Sequence, residues 1–197
     1  MLEPQGEHKL DLIVIHGYRQ LASNFIKRFD GLAQLGVRVI APEGLHRFYV
    51  EGYSGKVGAS WMTKEGREDD IQDYVAYIEQ LAQSLDIGER PLSLLGFSQG
   101  GPTACRWLSN THISVDQLIL HSSVFPNDFD FEGSREKLSA IPSYALFGDD
   151  DFFAPDDVIE SKMSWMKGKG VALKLLRYKG GHEIELPLVQ EVLSELL

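Results

Sequence analysis

The sequence predicts an α/β fold with a mainly parallel sheet, and three observations carry that reading. Short apolar runs recur along the 197 residues, each bounded by Gly, Pro or Asp. Stretches with helical spacing of apolar residues lie between most of them. That alternation is the pattern of parallel strands joined by helical crossovers, with helices on both faces of the sheet. Finally, the Ser, Asp and His residues with chemical potential follow the ends of the runs, where parallel α/β sheets bind ligands.

Leu10-Asp11-Leu12-Ile13-Val14-Ile15 is nearly continuous in apolar residues, as a strand covered on both faces must be. A loop, His16-Gly17-Tyr18-Arg19-Gln20, follows. Ser23-Asn24 can cap a helix over about 24–35, with Phe25, Phe29, Leu32 and Leu35 on one face and Gly36 closing it. Val37 to Ala41 is a second strand, ended by Pro42. Residues 43–67 read as a long Gly- and aromatic-rich loop without a clear period. A helix is expected over about 68–86, with Ile71, Val75, Ile78, Leu81 and Leu85 as its stripe and Glu68-Asp69-Asp70 at its positive end.

A third strand starts at Leu92 and runs into a helix from about residue 100. Pro102 is tolerated there because it falls in the first turn. Further strands are expected over 116–121, 143–147 and 173–178, with a possible turn of helix near 134–139 and helices from 155 to about 168 and over 185–197. No repeat or long linker divides the chain, so residues 1–197 read as one domain.

The formal net charge of −10 argues against nucleic acid and against anionic membrane surfaces, both of which call for basic patches. No apolar run approaches a membrane span, and the polar N-terminus has no signal-peptide pattern. Cys105 is the single cysteine, so no internal disulfide can form. It reads as a small buried hydrophobe, and the whole suits a cytoplasmic protein. Neither H-E-x-x-H nor a Cys cluster is present, so neither a metal nor an organic cofactor is implied.

The most informative stretch is Gly96-Phe97-Ser98-Gln99-Gly100-Gly101. G-x-S-x-G between a strand and a helix is a nucleophile elbow. The Ser sits in strained backbone at a sharp corner, side chains two positions either side would collide, and the following helix aims its N-terminal N–H groups at the same spot. Ser is a poor nucleophile at neutral pH. It needs a His base, and the His needs an acid to hold its tautomer. Ser98, the acidic run Asp149-Asp150-Asp151 and His182 follow in that order. Three adjacent aspartates cannot all be buried as charges, so one faces inward and two are solvated. His121 precedes the acid and breaks the order. His16 reads as structural, and His46 and His112 as surface residues.

Taken together, these residues resemble the α/β-hydrolase superfamily, and within it the phospholipase/carboxylesterase family that includes acyl-protein thioesterases. The matching pieces are His16-Gly17, the Gly96–Gly101 elbow, Ser122 to Pro126, Gly148-x-x-Asp151-x-x-Ala154-Pro155, and Gly181-His182. The resemblance implies an α/β-hydrolase fold with little or no lid. It selects Asp151 as the acid, since the family's acid stands three residues after a Gly and four before a Pro. It assigns the oxyanion hole to the N–H groups of Tyr18 and Gln99, and a place lining the substrate groove to Trp61. The loop after His16-Gly17 departs from the family, reading Tyr18-Arg19-Gln20 where Gly and Asp are usual. The expected activity is acyl transfer from a small-molecule carboxylic ester or thioester to Ser98 and then to water. Short or medium acyl chains are expected, bound in an open groove near Trp61. The alternatives are a peptidase or acyl transferase with the same triad, and a ligand-binding protein on the same scaffold.

Overall fold

The computed structural model describes residues 1–197. Six strands form one parallel sheet: β1 (Leu10–Ile15), β2 (Val37–Ile40), β5 (Leu92–Phe97), β6 (Gln117–His121), β7 (Ser143–Gly148) and β8 (Leu173–Tyr178). Their order across the sheet is β2-β1-β5-β6-β7-β8. The chain steps outward from β1 to β2, then returns to pair β5 on the other side of β1. That reversal opens a crevice beyond the carboxyl ends of β1 and β5, where open α/β sheets take their ligands. The register aligns those ends: Ile15 lies opposite Gly96, Phe97 opposite His121 and Gly148 opposite Tyr178. The residues just after each strand are thereby gathered on one edge.

Every residue of β1, β5, β6 and β7 is buried, which explains their lack of polar alternation. Ile13, Ile15, Leu92, Leu94, Leu118 and Leu120 face α2 (Arg67–Ser84) and α3 (Gly100–Asn110). Leu10, Leu12, Val14, Leu95, Phe97 and Ile119 face the opposite layer, built from residues 26–35 and α6 (Leu186–Leu193). The short α4 (Arg135–Ala140) precedes β7, and α5 (Asp156–Gly168) covers Ala145 and Phe147 through Ile159. Cys105 is buried on α3, and burial pushes its thiol pKa up.

Two stretches differ from the sequence expectation. The helix anticipated over 24–35 is one α turn, α1 (Ala22–Phe25), followed by a 3-10 helix over Ile26–Leu35. Asp30-Gly31 in its middle is a poor α-helical pair. Phe25, Phe29 and Leu32 are buried as expected, whereas Leu35 is exposed. Neither Ser23 nor Asn24 caps it; the Glu43 carboxylate accepts the Ala22 N–H at 3.3 Å across the tertiary structure.

The expected loop of 43–67 contains an antiparallel hairpin, β3 (His46–Tyr49) and β4 (Val57–Ser60). β3 is largely exposed, so it leaves no apolar alternation to read. The hairpin also pairs with the loop after β1. Arg19 N–H donates to Ala59 O at 2.9 Å, and Ala59 N–H to Gln20 O at 3.0 Å. No helix is long and apolar enough to cross a membrane.

Candidate active site

The elbow forms because its glycines leave no alternative. A Cβ on Gly96 would lie 2.5 Å from Gly100 O and Gly101 Cα, and one on Gly100 would meet the carbonyl oxygen of Ile15 closer still. Strand, helix and neighbouring strand can approach this closely only with hydrogen at both positions. Ser98 between them has φ 53°, the left-handed region that non-glycine residues avoid. Two contacts hold it there. Ser98 N–H donates to His121 O at 3.0 Å, and Ser123 Oγ donates to Ser98 O at 2.8 Å.

Beyond β7, Asp151 turns inward and is 4% exposed, while Asp149 and Asp150 face solvent. Arg177 Nε donates to Asp149 at 3.1 Å and keeps that carboxylate outside. Asp151 accepts from His182 Nδ1, with Oδ2 at 2.8 Å and Oδ1 at 3.0 Å, and from Phe153 N–H at 3.0 Å. An ionised carboxylate can only accept, so the proton of this pair sits on Nδ1 and leaves His182 Nε2 free to act as a base. The imidazole packs between Phe97 and Phe153, with ring centroids 4.9 Å away on each side. Phe97 immediately precedes Ser98, so the ring is held beside the elbow. No hydrogen bond joins Ser98 Oγ to His182 in this structure; such bonds commonly tighten only once substrate is bound.

Gly17 lies against the elbow, where a Cβ on it would sit 3.1 Å from Ser98 Cβ. Its N–H is taken by Gln20 Oε1 at 2.9 Å, whereas neither the Tyr18 nor the Gln99 N–H is used within the protein. The unspent donors thus sit on the residues that directly follow Gly17 and Ser98, with the N-terminus of α3 adding its positive end.

His16 is buried and structural. Its Nδ1 donates to Gly17 O at 2.8 Å and its Nε2 accepts the Gly44 N–H at 2.9 Å. Burial lowers its pKa and favours this neutral form.

The expectation that Trp61 lines a groove is corrected. Trp61 is fully buried in the core, its indole N–H donates to His16 O at 2.9 Å, and its ring packs on His16 and Tyr74. Reading an aromatic loop residue as a groove wall missed that β4 carries it straight into the core. The exposed aromatics on the loops around the elbow are instead Tyr18, stacked on Phe48 with centroids 5.3 Å apart, and Phe152 and Phe153.

The sequence offered His121 only as a rival base that breaks the order, and it gave Ser123 and Gln20 no role of their own. His121 is wholly buried beneath the pair, with His182 and Asp151 as its titratable neighbours. Its carbonyl holds Ser98 N–H, and its Nε2 accepts the Glu185 N–H at 3.1 Å. Burial pushes its pKa down to about 3. It is a neutral tether between the elbow and the loop carrying His182. Ser123 and Gln20 act through single hydrogen bonds, and no pattern in the sequence marks either one.

A strained Ser at a strand–helix corner, beside an Asp-supported imidazole and two free N–H donors, defines the class of protein with an α/β-hydrolase architecture. The sequence matches the model of the alpha/beta hydrolase family over residues 12–182, and the chain belongs to that family. No curated protein sequence matches it. Among solved structures it is similar to esterase PE8, at 21% identity and TM-score 0.72 over 100% of this chain and 97% of that one. It is also similar to acyl-protein thioesterase 2 of Zea mays, at 18% identity and TM-score 0.75 over 98% and 95%. A third is SOBER1 of Arabidopsis thaliana, at 16% identity and TM-score 0.63 over 95% and 97%. At these identities the likeness is one of fold.

Proposed function

We propose that this protein is a serine hydrolase that cleaves carboxylic esters or thioesters through an acyl-enzyme on Ser98. The observation that carries the proposal is the Asp151–His182 pair held beside the strained Ser98. His182 Nε2 would take the Ser98 proton as Oγ attacks the carbonyl carbon, and would return it to the departing alcohol or thiol. Asp151 would hold the Nδ1–H tautomer and stabilise the imidazolium. The N–H groups of Tyr18 and Gln99 would receive the oxyanion, and each such donor typically contributes about 100-fold or more in rate. Water activated by the same imidazole would then release the acid.

The family membership and the esterase and thioesterase among the similar folds support this reading. The test is turnover of 4-nitrophenyl acetate and of an acyl thioester by the wild type and by Ser98→Ala. The wild type should hydrolyse both. The variant should fold normally and lose about 10⁴-fold or more in kcat. Comparable turnover by Ser98→Ala would overturn the proposal.

A further inference from the structure

Beside the triad, between α3, the loop after β6 and the first half of α5, lies a cavity of about 290 Å³. Its walls include Pro102, Val124, Phe125, Phe147, Phe153 and Val158. Two of its boundaries are shared with the catalytic groups. Phe153 packs on the His182 ring, and Ser123, also on the lining, holds the Ser98 carbonyl. The only cationic side chain on the lining is Lys162. Its Nζ donates to Asn127 Oδ1 at 3.0 Å and lies 5.4 Å from the Trp165 ring centroid, both neutral partners. In a protein of net charge −10, this cation takes part in none of the ion pairs and stands at a pocket whose other lining is apolar apart from Ser122, Ser123 and Asn127.

We propose that this cavity is the acyl subsite, and that it selects a short acyl chain ending in a carboxylate: a monoester or monothioester of a small dicarboxylic acid. The inference rests on the serine-hydrolase reading above. The acyl group stays bonded to Ser98 through both chemical steps, so a walled cavity against the elbow serves it, whereas the leaving group must depart into solvent. The volume lies at the lower edge of small-ligand pockets, which span about 300–1,000 Å³, and admits only a few methylenes. An apolar chain covers the Val124, Phe147 and Val158 walls, and its terminal carboxylate meets Lys162. The chemistry closes with water as the sole co-reactant. Ser98 Oγ bonds the proximal acyl carbon, the alcohol or thiol leaves with the proton taken up by His182, and water regenerates Ser98 and releases the free dicarboxylic acid.

The experiment compares 4-nitrophenyl hexanoate with the 4-nitrophenyl monoester of adipic acid, which share a six-carbon chain. Both are corrected for spontaneous hydrolysis and run at low ionic strength, with 4-nitrophenyl acetate as reference. Three proteins are assayed: wild type, Lys162→Gln and Val158→Trp. The wild type should favour the adipate monoester in kcat/KM by about fivefold, the scale of one partly exposed ion pair. Lys162→Gln should erase that preference through KM and leave hexanoate within about twofold of wild type. Val158→Trp should fill the cavity, lowering both six-carbon esters and sparing acetate.

A wild type that hydrolyses acetate and hexanoate but gains nothing from the carboxylate sinks the subsite alone. So does a Lys162→Gln variant that keeps the preference. A wild type that fails on acetate as well sinks the hydrolase reading, and the subsite falls with it.

Discussion

Three consecutive aspartates offer a controlled comparison. Asp151 is buried against His182, whereas Asp149 is exposed and paired with Arg177. Asp151→Asn should lower kcat by about 10⁴-fold, because an amide can donate to Nδ1 and favour the wrong tautomer. Asp149→Asn should cost less than tenfold; if it proves the inactive variant, the assignment of the acid is wrong. His121 makes a different prediction. It titrates near 6.5 when unfolded but only at about 3 when folded, because burial disfavours its charge. Between those values the unfolded chain binds the extra proton. Stability from this group is therefore complete above about pH 6.5 and is lost as pH falls towards about 3. His182 and Asp151 face the same ring, and buried His16 acts in the same direction. The comparison with His121→Gln, which keeps an acceptor for Glu185 N–H and removes the titration, isolates the contribution. The melting temperature of that variant should fall less between pH 7 and pH 4 than that of the wild type; parallel curves would contradict the tether as described. The strained corner at Ser98 was legible from its flanking glycines, whereas among the three aspartates only the family resemblance singled out Asp151, the one the structure turns inward. His121 was not legible, because its partner Glu185 lies 64 residues away and leaves no local pattern.

The β3–β4 hairpin braces the loop that carries Tyr18. Gly58 on β4 sits so close to that loop that a Cβ would lie 2.6 Å from Arg19 O and 2.7 Å from Arg19 Cα. Both contacts are backbone, so Gly58→Ala must push the loop away from the hairpin. The expected result is a kcat loss of about 10-fold to 100-fold with KM little changed, measured on 4-nitrophenyl acetate, since an oxyanion donor moves while the nucleophile stays. An unchanged kcat would remove Tyr18 from the oxyanion hole. Trp61 lies at the base of the same segment. Trp61→Ala should cost about 3–5 kcal/mol of stability in denaturant unfolding, as core Trp truncations do. An exposed groove residue would cost far less. The central strands of the main sheet, β1, β5, β6 and β7, could be read from the sequence because burial on both faces makes them largely apolar. The hairpin could not, because its outer strand stands away from the core, and the 3-10 stretch could not, because a Gly in its middle changes the helix type while Phe25, Phe29 and Leu32 stay buried.

Across the molecule, strand order does most of the positioning. The switch between β1 and β5 places the Tyr18 loop and the elbow side by side, and the parallel register carries Asp151 and His182 to the same edge. These groups follow four different strands, β1, β5, β7 and β8, so only the assembled sheet gathers them. The flank of the site towards α2 is tied by Asp128, which accepts from Arg106 at 2.8 Å and from Arg67 at 2.6 Å. Burial alone would raise its pKa, but these hydrogen bonds outweigh that cost and hold it at about 2. The Asp128 side chain is 45% exposed, so solvent screens the pairs, and Asp128→Asn should cost no more than about 1 kcal/mol, shrinking with salt. The central claim is that Ser98 becomes covalently acylated during turnover. The most direct measurement is to acid-quench the protein during hydrolysis of 4-nitrophenyl acetate and identify by mass spectrometry which residue carries an acetyl group. The account predicts one acetyl, on Ser98, forming within the first turnover and absent from Ser98→Ala. Active enzyme that never carries acyl mass on Ser98, even when deacylation is shown to be slow, would contradict it.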